Sequence, residues 1–420
     1  MIIPKIKLYT GCNALSNSSN SAFQEQDQDM APPFSRDEYS DRLNCVRTAM
    51  QARGLDVLVI GDPANINWLT GYDAWSFYTP QIMVVGDELD PTWLGREMDA
   101  GAAKFTTYLP DSQIVPFPEI YVQQTTVHPA QFMAEWMKSK QLNGKRIGYE
   151  SDVYYLTPAA VGHLKSGLPN SDWSDCGLLV NWQRLTKSRA EIVMLQQASV
   201  IAGLAMQTAY DGVRPGVRQN NLMADIVAAQ IRGTPEFGGD QTALHPLVLA
   251  GEAASTAHPM WTDATFEKNQ TIAFELGGCR KRYNAGLART VHLGEPPKTL
   301  MATAKAVEEG MEEVLSAMKA HALCSDVHAA WQAVLDQYGL KKNSRIGYSI
   351  GLGYSPDWGE HTISFRPDDH TALPENAVVH IILGMWNDSW GMELSETIHV
   401  RANDAVCLTQ FPRDVHVIDV

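Results

Sequence analysis

The sequence predicts an α/β (α+β) fold of two domains, a small N-terminal α/β domain and a larger C-terminal domain. Strand-like apolar runs alternate with helical segments in the first part of the chain, and amphipathic helices flank a strand hairpin in the second part. A chain of 420 residues is long enough to build two hydrophobic cores. We expect an extended arm over residues 1–34, the N-terminal domain over residues 35–185 and the C-terminal domain over residues 186–420.

Composition and charge exclude several classes of function. The hydrophobic content of 45% and the charged content of 19% are typical of a globular enzyme. The formal net charge of −15, without a dense basic block, argues against binding to nucleic acid or to an anionic membrane surface. The sequence predicts neither a membrane span nor a signal peptide, and its six cysteines are scattered, so we expect a cytoplasmic protein with reduced thiols.

Polar and helix-capping residues mark where the first domain starts. Residues 13–33 are rich in Ser, Asn and Gln and belong to the predicted arm. Ser35 and the acids after it are typical of a helix N-terminus, and the predicted helix runs to about Arg53. Strands are predicted at residues 55–60, 81–85, 92–94, 114–117 and 146–150, and helices at residues 129–138 and 158–164.

Aromatic side chains crowd the segment after the first predicted strand, and they include Trp75, Phe77 and Tyr78. One interpretation is that these side chains pack in the core beneath the first sheet. The other is that the segment forms an aromatic wall of a ligand-binding site. The sequence leaves both interpretations open.

The second domain is organised around residues 273–290, which read AFELGGCRKRYNAGLART. An apolar strand carries one acid, Glu275, into a predicted Gly-Gly turn, and a second strand follows. A carboxylate in a buried strand is costly unless it is paired, protonated or used in chemistry. Helices are predicted at residues 189–212, 220–232, 300–319 and 327–338, and strands at residues 244–250, 270–275, 283–291, 377–386 and 392–400.

The motifs of this domain, taken in order, resemble the pita-bread family of methionine aminopeptidases, prolidases and creatinase. They are His258 near a strand end, Glu275 with an Arg-Thr pair fourteen residues on, the GYSIG segment, and a last strand that contains Glu393 and Glu396. The resemblance implies a C-terminal pita-bread (creatinase-like) domain, in which two pseudo-symmetric α/β halves surround a curved antiparallel sheet that carries the site.

The metallopeptidases of this family bind two metal ions through two Asp, one His and two Glu. The resemblance places these five positions on Glu275, Gly286, Tyr348, Ile382 and Glu396. Glycine and isoleucine side chains offer no metal ligand, and tyrosine is a poor substitute for histidine. We therefore expect no metal ion and no other cofactor.

Longer stretches in both domains resemble the ectoine hydrolases, which are metal-free members of this family. They read RDEYSDRL, DPANINWLTGYDAWSFY, LVNWQR, FGGD, RIGYSIGLGYSPDWGE and WGMELSETI. The resemblance implies a hydrolase that opens the cyclic amidine of ectoine, a small-molecule substrate, to N-acetyl-2,4-diaminobutyrate.

The NAGLA segment at residues 284–288 departs from the pattern of that group, and two alternatives stay open. One is a creatinase-like C–N hydrolase of another small compatible solute, and the other is a non-catalytic binding protein on a degenerate peptidase scaffold.

Amidine hydrolysis needs a group that activates the attacking oxygen and a group that protonates the departing nitrogen. The resemblance implies that Glu275 is the nucleophile or the partner of the amidinium, unless it pairs with Arg282 or Arg289 for structural reasons. His258 is expected to be the general acid or base, or else to cap a turn. Glu396 is expected to orient the substrate or His258, or to belong to a buried ion pair.

Side chains around these residues are expected to bind the substrate, because aromatic groups suit a flat amidinium and an arginine suits a carboxylate. In the C-terminal domain the expected residues are Tyr348, Trp358, Glu360, Trp386 and Arg289, with Arg366 as the alternative arginine. The remaining histidines, which include His245, His361 and His380, are assigned to packing or to the surface.

In creatinase-like proteins the N-terminal domain of one subunit closes over the site of its partner. The resemblance therefore implies a homodimer in which Trp75, Phe77 and Tyr78 cover the partner's site and bind its substrate. Neither a nucleic acid nor a membrane is expected as a partner.

Overall fold

The computed structural model describes residues 31–420, and these divide into two compact units between Leu179 and Val180. Residues 1–30 of the predicted arm lie outside the described residues. The sequence predicts a domain boundary between residues 185 and 186, at the far end of the short helix Leu179–Arg184. This helix is tied to the second unit because the Asn181 side chain donates to the Glu360 carbonyl at 3.1 Å.

The first unit is one mixed sheet with helices packed against it. Its helices are α1 Arg36–Ala52, α2 Pro63–Thr70, α3 Ala100–Thr106, α4 Pro129–Ser139 and α5 Pro158–Gly167. Its strands are β1 Val57–Ile60, β2 Ile82–Gly86, β3 Thr92–Arg96, β4 Ile114–Phe117, β5 Arg146–Tyr149 and β6 Asp172–Asp175. The strand order is β4-β3-β2-β1-β5-β6. Ser35 caps α1 by accepting a hydrogen bond from the Glu38 backbone N–H at 3.2 Å, which confirms the predicted helix start.

The second unit contains two larger sheets and the longer helices. Its helices are α6 Leu179–Arg184, which starts at the boundary, α7 Arg189–Gly212, α8 Gln219–Arg232, α9 Lys298–Ala317 and α10 Cys324–Tyr338. Its strands are β7 Leu247–Ala250, β8 Gln270–Arg280, β9 Tyr283–Leu293, β10 Gly347–Ile350, β11 Gly359–Ser364, β12 Val378–Ile382, β13 Met385–Trp386, β14 Gly391–Met392, β15 Ser395–Val400, β16 Ala405–Cys407 and β17 His416–Ile418. One sheet has the order β17-β9-β8-β7, the other has the order β11-β10-β12-β15-β16, and β13 pairs with β14. Strands and helices in both units confirm the α/β (α+β) class.

The β8–β9 hairpin turns later than the sequence predicts. Both strands pair without interruption from Gln270 to Arg280, and the turn falls at Lys281-Arg282, whose φ angles are both positive. The prediction that Gly277 and Gly278 form the turn was therefore wrong. These glycines allow close approach instead: a Cβ at residue 278 would lie 2.0 Å from the Ala198 carbonyl oxygen of α7.

Helix α7 is long and apolar enough, by length and composition alone, to cross a membrane. Half of its most apolar window is buried, and Ala202, Ala205 and Met206 are fully buried in the core that also contains Phe274 and Leu276 of β8. Its apolar face therefore packs against the sheet of the second unit, and this packing accounts for its composition.

We predict that Gly310→Ala destabilises the second unit. A Cβ at Gly310 of α9 would lie 2.1 Å from the Trp331 ring of α10, so an added methyl group must displace a buried indole. We expect a loss of about 1–3 kcal/mol in the free energy of unfolding, measured by thermal and urea denaturation.

The matched control is Gly203→Ala in α7, where a Cβ would meet no described atom within 4 Å. Alanine in that helix interior is expected to be neutral or to stabilise by roughly 0.5–1 kcal/mol. Equal effects of the two substitutions would show that Trp331 is not the cause.

Candidate active site

Glu275 lies on the face of β8 that points away from the helices. Its neighbours Phe274 and Leu276 are in the core with α7 and α8, and the alternation of a β-strand turns Glu275 to the opposite face together with Gly277. The partner residues across the hairpin are Ala288 and Gly286. Glu275 is therefore surrounded on its own sheet by small residues, over which larger side chains can pack closely.

Aromatic side chains pack over the small residues on this face of the sheet. A Cβ at Gly277 would lie 2.6 Å from the Trp358 ring, and a Cβ at Gly286 would lie 2.8 Å from His380 Nε2. Trp358 Nε1 donates to the Tyr348 hydroxyl at 2.9 Å, and the same hydroxyl lies 3.2 Å from His380 Nδ1. The structure thus brings two predicted substrate-binding residues, Tyr348 and Trp358, beside Glu275.

His380 lies between two hydroxyl groups. Ser395 Oγ accepts from the Ala288 backbone N–H at 2.6 Å and lies 2.7 Å from His380 Nε2. The Tyr348 hydroxyl lies beside the other ring nitrogen, Nδ1, and the tautomer of His380 decides which of the two hydroxyls donates to the ring. Burial lowers the pKa of His380 to about 3, helped by the charge of Arg345, so the ring stays neutral.

Glu393 is a second buried acid at the site, and the sequence analysis did not select it. Its backbone is held over β9 by Thr290, whose hydroxyl accepts from the Glu393 N–H at 2.9 Å and donates to the Glu393 carbonyl at 3.1 Å. The side chain is 3% exposed, and its Oε2 has no hydrogen-bond partner within residues 31–420. A buried carboxylate oxygen without a partner is costly, which indicates that a ligand or a proton satisfies it.

The two acids influence each other. Burial, together with the charges of Glu393 and Asp357, raises the pKa of Glu275 well above its usual range. Burial raises the pKa of Glu393 to about 7, and the nearby Lys342 opposes the rise. The raised pKa values favour the protonated form of each acid when no cation is bound between them.

Asp357 keeps a negative charge beside this pair. Burial would raise its pKa, but a hydrogen bond with His361 at 2.8 Å and one from the Gly359 N–H at 2.9 Å bring the net pKa below its usual value. The sequence analysis assigned His361 and His380 to packing or to the surface. His361 is exposed and bonds Asp357, and His380 is buried and lies above Gly286.

Arg289 and Glu396 face away from the site. Arg289 pairs with Phe274 across the hairpin and so lies on the core face of the sheet. All of its N–H donors are used, on the Glu396 carboxylate at 2.8 Å and on the carbonyls of Ala288, Ser395, Phe411 and Pro412. This arrangement leaves Arg289 no donor for a substrate, and it pairs with Glu396 rather than with Glu275.

The carboxylate of Glu396 is fully engaged in structural contacts. One oxygen accepts from Arg289 at 2.8 Å and from Arg413 at 3.0 Å, and the other accepts from the Thr409 hydroxyl. Of the two predicted roles for Glu396, the contacts match the buried ion pair. They are inconsistent with a group that touches the substrate.

Glu360 is also engaged in an ion pair. Its carboxylate lies 2.6 Å from Lys187 Nζ, and both side chains are 1% exposed. Burial lowers the pKa of Lys187, and the charge of Glu360 opposes this shift. The predicted contact of Glu360 with a substrate would require this pair to open.

Trp386 lies near Glu393, at the more exposed side of the site. Lys342 Nζ lies 4.4 Å from the centre of the Trp386 ring and donates to the Gly384 carbonyl at 2.7 Å. A Cβ at Gly384 would lie 2.8 Å from the Trp386 ring and 3.5 Å from Glu393 Cγ. The indole is 39% exposed, so it remains accessible to a ligand.

The other predicted site residues are not joined to Glu275 by any contact in the described part of the chain. His258 is exposed in the segment after β7 and has a φ angle of 69°. In the first unit, Phe77 packs on Trp75 and Tyr155, and the Tyr78 hydroxyl accepts from Arg96. The catalytic role of His258 and the lid formed by the aromatic segment stay predictions.

The donor set does not fit the two-metal centre of the family. Gly286 and Ile382 supply no ligand atom, His380 fills the space above Gly286, and the oxygens of Glu396 are engaged by Arg289, Thr409 and Arg413. Across residues 31–420, no group of three His, Cys, Asp or Glu side chains is arranged to hold a metal ion. The acids that remain are Glu275, Glu393 and Asp357, and Asp357 is already bonded to His361 and to the Gly359 N–H.

Comparisons with known proteins agree with this architecture. Residues 42–186 match the family model of the Creatinase/Prolidase N-terminal domain, and residues 193–402 match that of Metallopeptidase family M24. The chain is 38% identical over 392 residues to the ectoine hydrolase of Halomonas elongata, which covers 92% of this chain and 98% of that protein. It is 40% identical over 387 residues to the uncharacterized hydrolase/peptidase y4tM of Sinorhizobium fredii, which covers 92% of this chain and 99% of the relative.

Solved structures show the same fold at low sequence identity. The prolidase from Thermococcus sibiricus is 16% identical with a TM-score of 0.79, and the alignment covers 90% of this chain and 99% of that structure. The X-Pro aminopeptidase from Thermotoga maritima is 17% identical with a TM-score of 0.76 over the same shares of both chains. The chain therefore belongs to metallopeptidase family M24 and has its pita-bread fold, preceded by a creatinase/prolidase N-terminal domain.

Proposed function

We propose that this chain hydrolyses a C–N bond of a small cyclic amidine, with ectoine as the substrate and without a metal ion. The observation that carries the proposal is the pair of buried acids, Glu275 and Glu393. No hydrogen bond or ion pair from residues 31–420 reaches the Glu275 carboxyl, and Oε2 of Glu393 has no hydrogen-bond partner there. The similarity to the ectoine hydrolase of Halomonas elongata supports the choice of substrate.

An amidinium supplies the positive charge that this acid pair lacks. In the proposed reaction, water adds to the carbon between the two ring nitrogens, one ring C–N bond breaks, and the departing nitrogen leaves as an ammonium group. The positive charge of the amidinium thus passes to the ammonium, and the other nitrogen keeps the acetyl group. Glu275 acts as the nucleophile toward that carbon or pairs with the amidinium during addition.

Two further groups complete the proposed mechanism. The Tyr348 hydroxyl, which accepts from Trp358 Nε1, is the proposed donor to the oxygen that adds to the amidine carbon. His258 is the proposed general acid or base for the departing nitrogen. Trp358 and Trp386 supply aromatic faces for a flat cation.

A creatinase-like reaction is the second candidate. Creatine presents a guanidinium, which is another flat cation, to the same acids. The observation that favours this candidate is again the pair of buried acids, Glu275 and Glu393, which suits any small flat cation. Parallel assays with ectoine and creatine decide between the two, and a protein that binds either solute without turnover is a binding protein.

We predict that Glu275→Gln lowers the rate of ectoine ring opening at least about a hundredfold, because the amide neither attacks nor pairs with an amidinium. Ring opening is followed by NMR, and folding is checked by thermal unfolding. The matched control is Glu267→Gln at an exposed position, which should leave the rate unchanged. Full activity of the Glu275 variant would refute the proposed role.

The pH dependence of kcat/KM for ectoine provides a second prediction. A raised pKa means that the acid pair still holds protons at neutral pH, and a protonated pair attracts an amidinium less strongly. With the pKa of Glu393 at about 7, kcat/KM should rise as the pH increases toward 7 and level off above it. The slope should approach roughly one logarithmic unit per pH unit if one proton is released.

Glu393→Gln removes this titrating group and should flatten the rise near pH 7. The assay compares kcat/KM of both proteins between pH 5.5 and 9, in buffers of constant ionic strength, at roughly half-unit steps. A fall of kcat/KM as the pH rises through 7, or an identical profile in the variant, contradicts the proposed role of Glu393.

A third prediction concerns metal removal. Treatment with a chelator such as EDTA, followed by dialysis, should leave the rate of ring opening unchanged, because the donor set does not fit a metal centre. A metal-dependent prolidase treated in parallel should lose its activity. Stimulation of ring opening, or of dipeptide cleavage, by added manganese is the result that would disprove metal independence.

A further inference from the structure

Arg345 presents an unpaired guanidinium beside the site. It lies just before β10, is exposed, and stacks on the ring of Tyr348 with its Cζ 4.5 Å from the ring centre. Within residues 31–420, no hydrogen bond or ion pair reaches its N–H groups. Stacking fixes the plane of a guanidinium while its N–H donors remain free for a planar anion.

The other basic groups near the site are already engaged. Arg289 uses all of its donors in the core, and Lys187 is paired with Glu360. Lys342 donates to the Gly384 carbonyl and lies near Glu393. Arg366, the alternative arginine of the sequence analysis, pairs with Asp368 at 3.1 Å, and both side chains are more than half exposed. Arg345 is the cation of this set to which residues 31–420 supply neither a hydrogen bond nor an ion pair.

The site has an acidic end and a basic end, and Tyr348 lies between them. The Tyr348 ring carries Arg345 on its face, and Trp358 and His380 contact its hydroxyl. Burial raises the pKa of Tyr348, the charge of Glu275 raises it further, and the charge of Arg345 lowers it. Tyr348 is therefore close enough to interact electrostatically with both residues. A ligand carboxylate would be repelled by Glu275, Glu393 and Asp357 unless a cation held it at the opposite end.

We infer that Arg345 binds the carboxylate of the substrate. The ligand class of the site is then a small zwitterion, with a flat cation toward Glu275 and Glu393 and a carboxylate toward Arg345. This inference rests on the proposed function only for the cationic end of the ligand. The geometry allows a two-pronged contact from the guanidinium, which is the strong form of carboxylate recognition.

The test compares two substrates and two variants. The substrates are ectoine and the same methyl-tetrahydropyrimidine ring without its carboxylate. A charge-assisted hydrogen bond is worth about 1.5–3 kcal/mol, so Arg345→Gln should raise KM and Kd for ectoine by roughly 10–150-fold with little change in kcat. Activity on the ring without a carboxylate should stay unchanged. Arg345→Lys should restore part of the affinity, because lysine keeps the charge but not the fork.

Arg401→Gln is the matched control, because Arg401 is an exposed arginine paired with Asp404 at 2.5 Å and should affect neither substrate. Equal losses on both substrates, or an unchanged KM and Kd for ectoine in Arg345→Gln, overturn the inference.

Binding measured by calorimetry separates the two proposals. If ectoine binds without being opened, and binds more weakly to Arg345→Gln, the assignment of Arg345 stands and the proposed reaction is wrong. If ectoine is opened equally well by the wild-type protein and the variant, the reaction stands and the assignment is wrong. A wild-type protein that neither binds nor opens ectoine overturns both.

Discussion

The ion pair between Arg289 and Glu396 is the interaction on which the second unit depends. Both side chains are buried, and together they join β9 of one sheet to β15 of the other and to the segment around Arg413. Removing one partner of such a pair leaves an unpaired buried charge and typically costs about 3–5 kcal/mol. Because this pair holds the two strands side by side, Ser395 and Thr397 can bond the backbone of Ala288 and Gly286.

The alternation of side chains along these strands determines which residues face the core and which face the site. Leu394, Glu396 and Ile398 point to the core, and Ser395 and Thr397 point to β9. The Glu396 carboxylate therefore lies in a structural ion pair and not among the acids of the site. The site keeps its negative charge through Glu275 and Glu393 but lacks the number of donors that two metal ions need.

The retained charge changes the kind of ligand that the site accepts. A metal ion neutralises clustered acids directly, whereas a pair of acids without one is satisfied by protons or by an organic cation. The neutral His380 and the Tyr348 hydroxyl add hydrogen-bonding groups without adding positive charge. With Arg345 at the opposite end of Tyr348, the proposed substrate is a compact zwitterion that carries both charges on one ring.

The sequence alone determined the local elements and the family. Helical composition predicted helix α7 with its observed bounds, and apolar runs bounded by glycine predicted the two buried strands that carry Glu275. The two-residue turn of the hairpin pairs Glu275 with Ala288 and so places Arg289 on the other face of the sheet. Tertiary structure decided the rest, because Gly286 meets Thr397 and His380 across more than ninety residues of chain. No local pattern specifies which strands become neighbours, so Glu393, His380 and Arg345 entered the site only through the register between the two sheets.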